Sequence, residues 1–161
     1  MIERRYLLGG IALGGALIGA PLLFANSGRP KAQPGWQLSG AEWRRRLTPL
    51  QYRILREAGT ERPFTSPLDS EKRAGTFLCA GCALPLFSST TKYDSRTGWP
   101  SFRAPIKGAV GTATDYDLGY PRTEVHCRRC SGHLGHVFDD GPKPTGKRYC
   151  MNGAAMSFRP A

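Results

Sequence analysis

The sequence predicts a small, mainly β domain preceded by short helices, and three observations carry that expectation. Gly and Pro number 20 and 13 in 161 residues, a density of turn formers that suits many short strands better than a helical bundle. Beyond Gly75, short β-like runs at 76–78, 123–126, 133–138, 148–151 and 156–158 are cut by Gly, Pro and Asp. Two CxxC pairs, Cys79/Cys82 and Cys127/Cys130, divide the β region, and no other internal repeat is present.

The helices come first. Ser39 caps a short helix carrying Trp43 and Leu47, and Thr48-Pro49 restarts the chain with a capping residue and Pro at the first helical position. In the second helix Leu50, Ile54 and Leu55 are expected to share a face, with Gly59 as the stop. Residues 60–68, with Pro63 and Pro67, read as loop.

Residues 1–25 stand outside this domain. Arg4-Arg5 leads directly into 7–25, nineteen residues without a charge, interrupted by Gly9, Gly10, Gly14, Gly15 and Gly19. A paired-arginine, weakly apolar, glycine-rich segment has the form of a twin-arginine export signal. Cleavage near Ala25-Asn26-Ser27 is one outcome. Retention as an anchor is the other, since nineteen helical residues span roughly 28 Å, close to a bilayer core. Residues 26–38, with Pro30, Pro34 and Gly35, read as a linker, leaving 39–161 as the domain. The expected location is periplasmic or otherwise exported.

The formal charge is +11. Apart from Arg44-Arg45-Arg46, basic residues are scattered, whereas a nucleic-acid site would concentrate them in a stripe. The charge is therefore a solubility and encounter property, and no nucleic-acid partner is expected.

A CxxC turn brings two sulfurs to one side of a tight knuckle, and two knuckles complete a tetrahedral site. Cys79, Cys82, Cys127 and Cys130 are thus read as ligands of one structural zinc ion. Redox-active CxxC motifs or a pair of disulfides are the competing readings for an exported chain. Covalent haem would need His after the second Cys, where Ala83 and Ser131 stand instead. A mixed site of Cys127, Cys130, His133 and His136 would strand Cys79 and Cys82.

Five cysteines minus four ligands leaves Cys150. Arg148 precedes it by two residues and Asn152 follows by two, so on a strand the three share a side. A guanidinium beside a thiol favours the reactive thiolate. His133 and His136 supply two imidazoles able to exchange protons near neutral pH, whereas His126 is a lone His without such context. A buried, inert cysteine is the plainer alternative for Cys150.

Gly98-Trp99-Pro100-Ser101-Phe102, Cys127-Arg128-Arg129-Cys130 leading to His133-Leu134-Gly135-His136-Val137-Phe138-Asp139-Asp140-Gly141-Pro142, and Arg148-Tyr149-Cys150-Met151-Asn152 resemble the methionine-(R)-sulfoxide reductases of the B type. The likeness runs in order from about Trp43 to Phe158 and includes Gly59-Thr60-Glu61-Arg62-Pro63-Phe64. It implies two antiparallel β-sheets with N-terminal helices, and an oxidoreductase acting on methionine-(R)-sulfoxide in peptides or proteins. It also implies Cys150 as nucleophile, His133 and His136 as proton-handling groups, and Asn152 and Arg148 as supporting groups. Trp99 would receive the substrate methyl group, with Phe138 nearby. An external thiol reductant, thioredoxin-like or of low molecular weight, completes the expected partners, and a monomer is expected.

Two departures stand out. Many relatives carry a resolving Cys where this chain has Thr97, so a single-thiol cycle is expected here. Many also have Ser where this chain has Gly153, from which a slightly more open site is expected. The competing functions are a zinc-ribbon nucleic-acid module and a zinc-clamped thiol oxidoreductase of other specificity.

Overall fold

The computed structural model describes residues 31–161; the expected export segment lies outside the described residues. Helix α1 spans Gly40–Arg46, and its first turn is closed by a reciprocal capping box between Ser39 and Glu42. Arg44, Arg45 and Arg46 fall together in its last turn, where the helix dipole favours positive charge. The one basic cluster in the sequence is thereby a helix-end feature. Helix α2 spans Pro49–Glu57 and starts with a second capping box, Thr48 with Gln51, and Pro49 at its first position. Ile54 and Leu55 are buried as expected.

Two expectations for α2 are corrected. Leu50 is 42% exposed, one turn upstream of the buried pair. The left-handed residue that ends the helix is Ala58, at φ 55°, not Gly59. Gly59 is instead held by close approach: its N–H donates to the Arg53 carbonyl at 3.0 Å, and a Cβ there would sit 3.0 Å from that same oxygen.

Two antiparallel sheets follow. The smaller has the order β2-β1-β9, with β1 Gly75–Cys79, β2 Pro85–Ser88 and β9 Met156–Pro160. The larger has the order β3-β4-β8-β7-β6-β5. Its strands are β3 Lys92–Tyr93, β4 Ser101–Phe102, β5 Val110–Asp115, β6 Arg122–Cys127, β7 His133–Phe138 and β8 Arg148–Met151. Every strand pair in both is antiparallel. The five strand runs expected from sequence are all present, and β2 to β5 join them.

Fully buried aromatic rings fasten sheet to sheet. Phe102 of the larger sheet stacks on Phe87 at 4.3 Å and meets Phe77 edge-on at 4.9 Å, both from the smaller sheet. Such offset and edge-to-face pairs add to the gain from burial alone. The stretch before α1 also meets the domain: Trp36 stacks on Trp43 at 6.3 Å, and the Gln33 N–H donates to the Arg129 carbonyl.

Candidate active site

Cross-strand register gathers the candidate groups. Tyr93, Ser101, Cys150, His136 and Glu124 are successive direct partners across β3, β4, β8, β7 and β6. Direct antiparallel partners share a face, so backbone pairing sets the Cys150 and His136 side chains on one face of adjacent strands.

His133 and His136, three apart on one strand, would ordinarily point to opposite faces. The strand is bent at Gly135, which has φ 154°, and β6 shifts register opposite it between Val125 and His126. Both rings consequently meet, with centroids 5.3 Å apart. Only glycine fits the bend, because a Cβ at 135 would lie 2.1 Å from the Cys150 carbonyl oxygen.

Each imidazole is held by a carboxylate. Glu124 Oε1 lies 2.6 Å from His133 Nδ1, both side chains buried, while His133 Nε2 is buried with no hydrogen-bond partner among the described residues. Asp115 Oδ2 lies 2.6 Å from His136 Nε2 and also accepts from Arg122 at 2.6 Å. Burial lowers the His136 pKa from its ordinary 6.5, while the bond to Asp115 pulls the other way. His126, the lone histidine, is a core residue whose ring covers Gly111, and a Cβ at Gly111 would meet its Nε2 at 2.5 Å.

Cys150 is neither fully buried nor exposed. Burial raises its pKa above the ordinary 9.0; the Thr97 hydroxyl, the Arg148 guanidinium and Ser101 act in the opposite direction. The expected thiolate-favouring effect of Arg148 is therefore present but is outweighed by desolvation. The Arg148 fork is also engaged elsewhere: Nε and Nη2 donate to the two Asp140 oxygens, each at 2.8 Å, and the guanidinium lies 4.4 Å from the Phe138 ring centre. Such a bidentate pair fixes the plane of the guanidinium.

Trp99 is half-buried, and its indole N–H donates to the Glu61 carbonyl at 3.3 Å. Asn152 is buried just beyond β8 with both ends of its amide occupied: Oδ1 accepts from the Glu61 N–H at 2.9 Å, and Nδ2 donates to the Leu134 carbonyl at 3.1 Å.

The four remaining cysteines are buried and form one cluster, with every sulfur within 4.8 Å of the others. Cys79 and Cys130 sulfurs are 3.6 Å apart, and those of Cys82 and Cys127 3.5 Å. A tetrahedral zinc with arms of ~2.3 Å needs sulfur–sulfur edges of about 3.8 Å, so the residues fit such an ion. Hydrogen bonding from Cys127, Cys130 and Cys82, with burial, raises the Cys79 pKa well above its ordinary value, while contacts led by Cys130 lower that of Cys127. A bare quartet resists full ionisation, which a divalent cation would relieve.

A SelR domain is matched over residues 47–160. The chain belongs to this family, the methionine-(R)-sulfoxide reductases of the B type. Curated relatives agree. Peptide methionine sulfoxide reductase MsrB of Agrobacterium fabrum is 56% identical over 123 residues, 76% of this chain and 91% of the relative. MsrB of Pseudomonas putida (strain W619) is 57% identical over 120 residues, 74% and 90%. The chloroplastic peptide methionine sulfoxide reductase B1 of Arabidopsis thaliana is 55% identical over 122 residues, 75% and 60%. The protein is accordingly an oxidoreductase, a peptide-methionine (R)-S-oxide reductase.

As a member of this reductase family, the chain shows where its two departures lead. Thr97 Oγ1 lies 3.9 Å from the Cys150 sulfur. Gly153 does not open the site, which corrects that expectation: Ser66 fills the place, and a Cβ at 153 would lie 1.9 Å from Ser66 Oγ and 2.4 Å from its Cβ.

Three acidic residues went unnoticed as site groups in the sequence. Glu61 is 4% exposed, and its carboxylate accepts from the N–H groups of Gly153 and Ala154. With its backbone bonded to Asn152 and Trp99, it ties three candidate segments together. Asp115 and Glu124 meet their histidines only through the pairing of β5, β6 and β7, and no local pattern announces that.

Proposed function

We propose that Cys150 is the nucleophile that reduces methionine-(R)-sulfoxide, peptide- or protein-bound, by a single-thiol cycle. The observation that carries this reading is the position of Cys150: the one thiol outside the buried quartet, in register with His136 and faced by a hydroxyl, not a second thiol.

The Cys150 thiolate attacks the sulfoxide sulfur while an imidazolium donates a proton to the departing oxygen. His136 suits this role because the Asp115 carboxylate stabilises its protonated form; the buried His133 beside it supports the same face. The methionine sulfur gains two electrons and leaves as a thioether, and the Cys150 sulfur becomes a sulfenic acid carrying that oxygen. An external thiol then attacks the sulfenic acid, releasing water and leaving a mixed disulfide. A second thiol resolves that disulfide and returns Cys150 to its reduced state. Arg148, Asn152 and Phe138 position the segments around the sulfur.

Epimer choice follows from Trp99. An apolar ring receiving the methyl group penalises the other epimer, which would set the polar oxygen against it. The S₄ cluster suits one structural zinc, whose role is to clamp the fold and not to enter the reaction. Dithiothreitol-driven reduction of the separated R and S sulfoxides of a blocked methionine tests the reading. Turnover of R alone, abolished in Cys150→Ser, is expected. Undiminished turnover in that variant would refute it, and so would a rapid internal disulfide in place of dimedone labelling at Cys150.

Export supports the setting. Arg4-Arg5 and the uncharged stretch 7–25 favour repair of oxidised methionine outside the cytoplasm. Mass analysis of the protein from its native host is expected to find it exported, with the segment removed or retained as an anchor. An intact Met1 on a soluble cytosolic protein would refute this.

A further inference from the structure

We propose that Ser95, Thr97 and Ser101 form a hydroxyl chain that turns as a unit to stabilise the ionised sulfur of Cys150, making Ser95 a positioning residue for the reaction. The proposal rests on Cys150 being the reacting sulfur, and it concerns residues that have no contact with zinc.

The geometry is a continuous line. Thr97 Oγ1 is 3.9 Å from Cys150 Sγ, Ser95 Oγ is 2.8 Å from Thr97 Oγ1, and Ser95 Oγ is 2.7 Å from Ser101 Oγ. Ser101, fully buried, ends the line by donating to the Trp99 carbonyl at 3.1 Å. Each hydroxyl has one proton to give, so the line has two self-consistent directions. With a neutral thiol, Cys150 S–H points to Thr97, Thr97 to Ser95, Ser95 to Ser101, and Ser101 to the carbonyl. With a thiolate, all three hydroxyls turn: Ser101 donates to Ser95, Ser95 to Thr97, and Thr97 to the sulfur.

A carbonyl cannot take up the proton at the far end. The chain therefore reorients without conducting, and the thiol proton leaves to solvent water. Each donor polarises the next, so Ser95 strengthens the bond that Thr97 makes although it does not touch the sulfur. Ser101 also faces Cys150 directly, as its partner on β4; the other groups there are Arg148 on its own strand, His136 opposite on β7 and Tyr93 on β3, with Asp140 acting through Arg148.

The test is the pH profile of iodoacetamide alkylation at Cys150 in the zinc-loaded full chain. A hydrogen bond to a charged group is worth about 1.5–3 kcal/mol, or about one to two pH units at 1.36 kcal/mol per unit. Thr97→Val should move the midpoint up by about that much, while Thr97→Ser keeps it near wild type. Ser95→Ala should move it up by about 0.3 unit, following a cooperative gain of about a fifth per bond. In the Thr97→Val background, Ser95→Ala should shift it by much less than in the wild type, because the route through Thr97 is cut and only Ser101 still faces the sulfur. A Ser95→Ala profile that overlays wild type, or an equal shift in both backgrounds, overturns the proposal. Shifts as expected in a chain that reduces neither sulfoxide epimer would uphold the chain of hydroxyls and refute the reductase assignment of Cys150.

Discussion

At the scale of single residues, ionisation decides the pH behaviour. Cys150 titrates above 9.0 and His136 below 6.5, the ordinary values from which burial displaces them. In the proposed mechanism attack needs thiolate and imidazolium together, a pair that is a minor species at neutral pH but whose fraction is level between the two pKa values. Below the lowered histidine value, thiolate is lost with no further gain of imidazolium; above the raised thiol value, imidazolium is lost with no further gain of thiolate. The kcat/KM profile for the R sulfoxide should therefore be a flat-topped bell with its limbs outside 6.5 and 9.0. Asp115→Asn removes a group that raises the His136 value, so the acid limb should move to lower pH; an unmoved limb would show that His136 does not set it. Gly153 offers a stability test. Gly153→Ser drives a Cβ into Ser66 and should cost about 1–3 kcal/mol by overpacking. Adding Ser66→Gly should recover much of that in urea melts, whereas unlinked, additive losses would contradict the packing.

Individual strands show how far the sequence could be read. The capping signals of Ser39 and Thr48-Pro49 and the runs at β6, β7, β8 and β9 were legible because they carry local chemistry, such as a hydroxyl before a helix or an apolar run between turns. β5, Val110-Gly111-Thr112-Ala113-Thr114-Asp115, was not, since small residues at alternate positions leave little apolar contrast; its strand form is imposed by six rungs to β6. β3 and β4 are two residues each, too short for periodicity to register. The site residues split in the same way. Cys150, the two histidines and the cysteine pairs announce themselves by type and spacing, whereas Asp115, Glu124 and Glu61 acquire their roles from register and burial. Gly135 joins the two classes: it lies in the His133–Pro142 motif, and its reason is the close approach of β7 to β8. Gly135→Ala would force a Cβ to within 2.1 Å of the Cys150 carbonyl, prising His136 away from the thiol. The expected outcome is loss of sulfoxide turnover, with the cysteine cluster still loading zinc; full turnover would mean that the β7–β8 contact is not needed to align the pair.

For the molecule as a whole, the cysteine quartet answers a structural problem. Two thin sheets, one of three strands, share one aromatic layer of Phe77, Phe87 and Phe102, and a domain of this size gains modestly from a core of that extent. Cys79 ends β1 of the smaller sheet, and Cys127 ends β6 of the larger. The cluster therefore fastens one sheet to the other, while Cys150, the proposed nucleophile, stands on β8, apart from it. Apparent zinc binding energies of about 10–16 kcal/mol in small structural sites are folding energy, so metal loss should act on stability first and on chemistry only through unfolding. Cys82→Ser should lower the zinc content and depress Tm by well over ten degrees, taking 1 kcal/mol as roughly 2–8 °C in domains of this size. At a temperature where the variant is still folded, its Cys150 should alkylate with the wild-type pH midpoint, because no cluster residue contacts that sulfur. A midpoint displaced in the folded variant would mean that the metal site tunes the thiol electrostatically, and the division between a clamping quartet and a reacting thiol would fail.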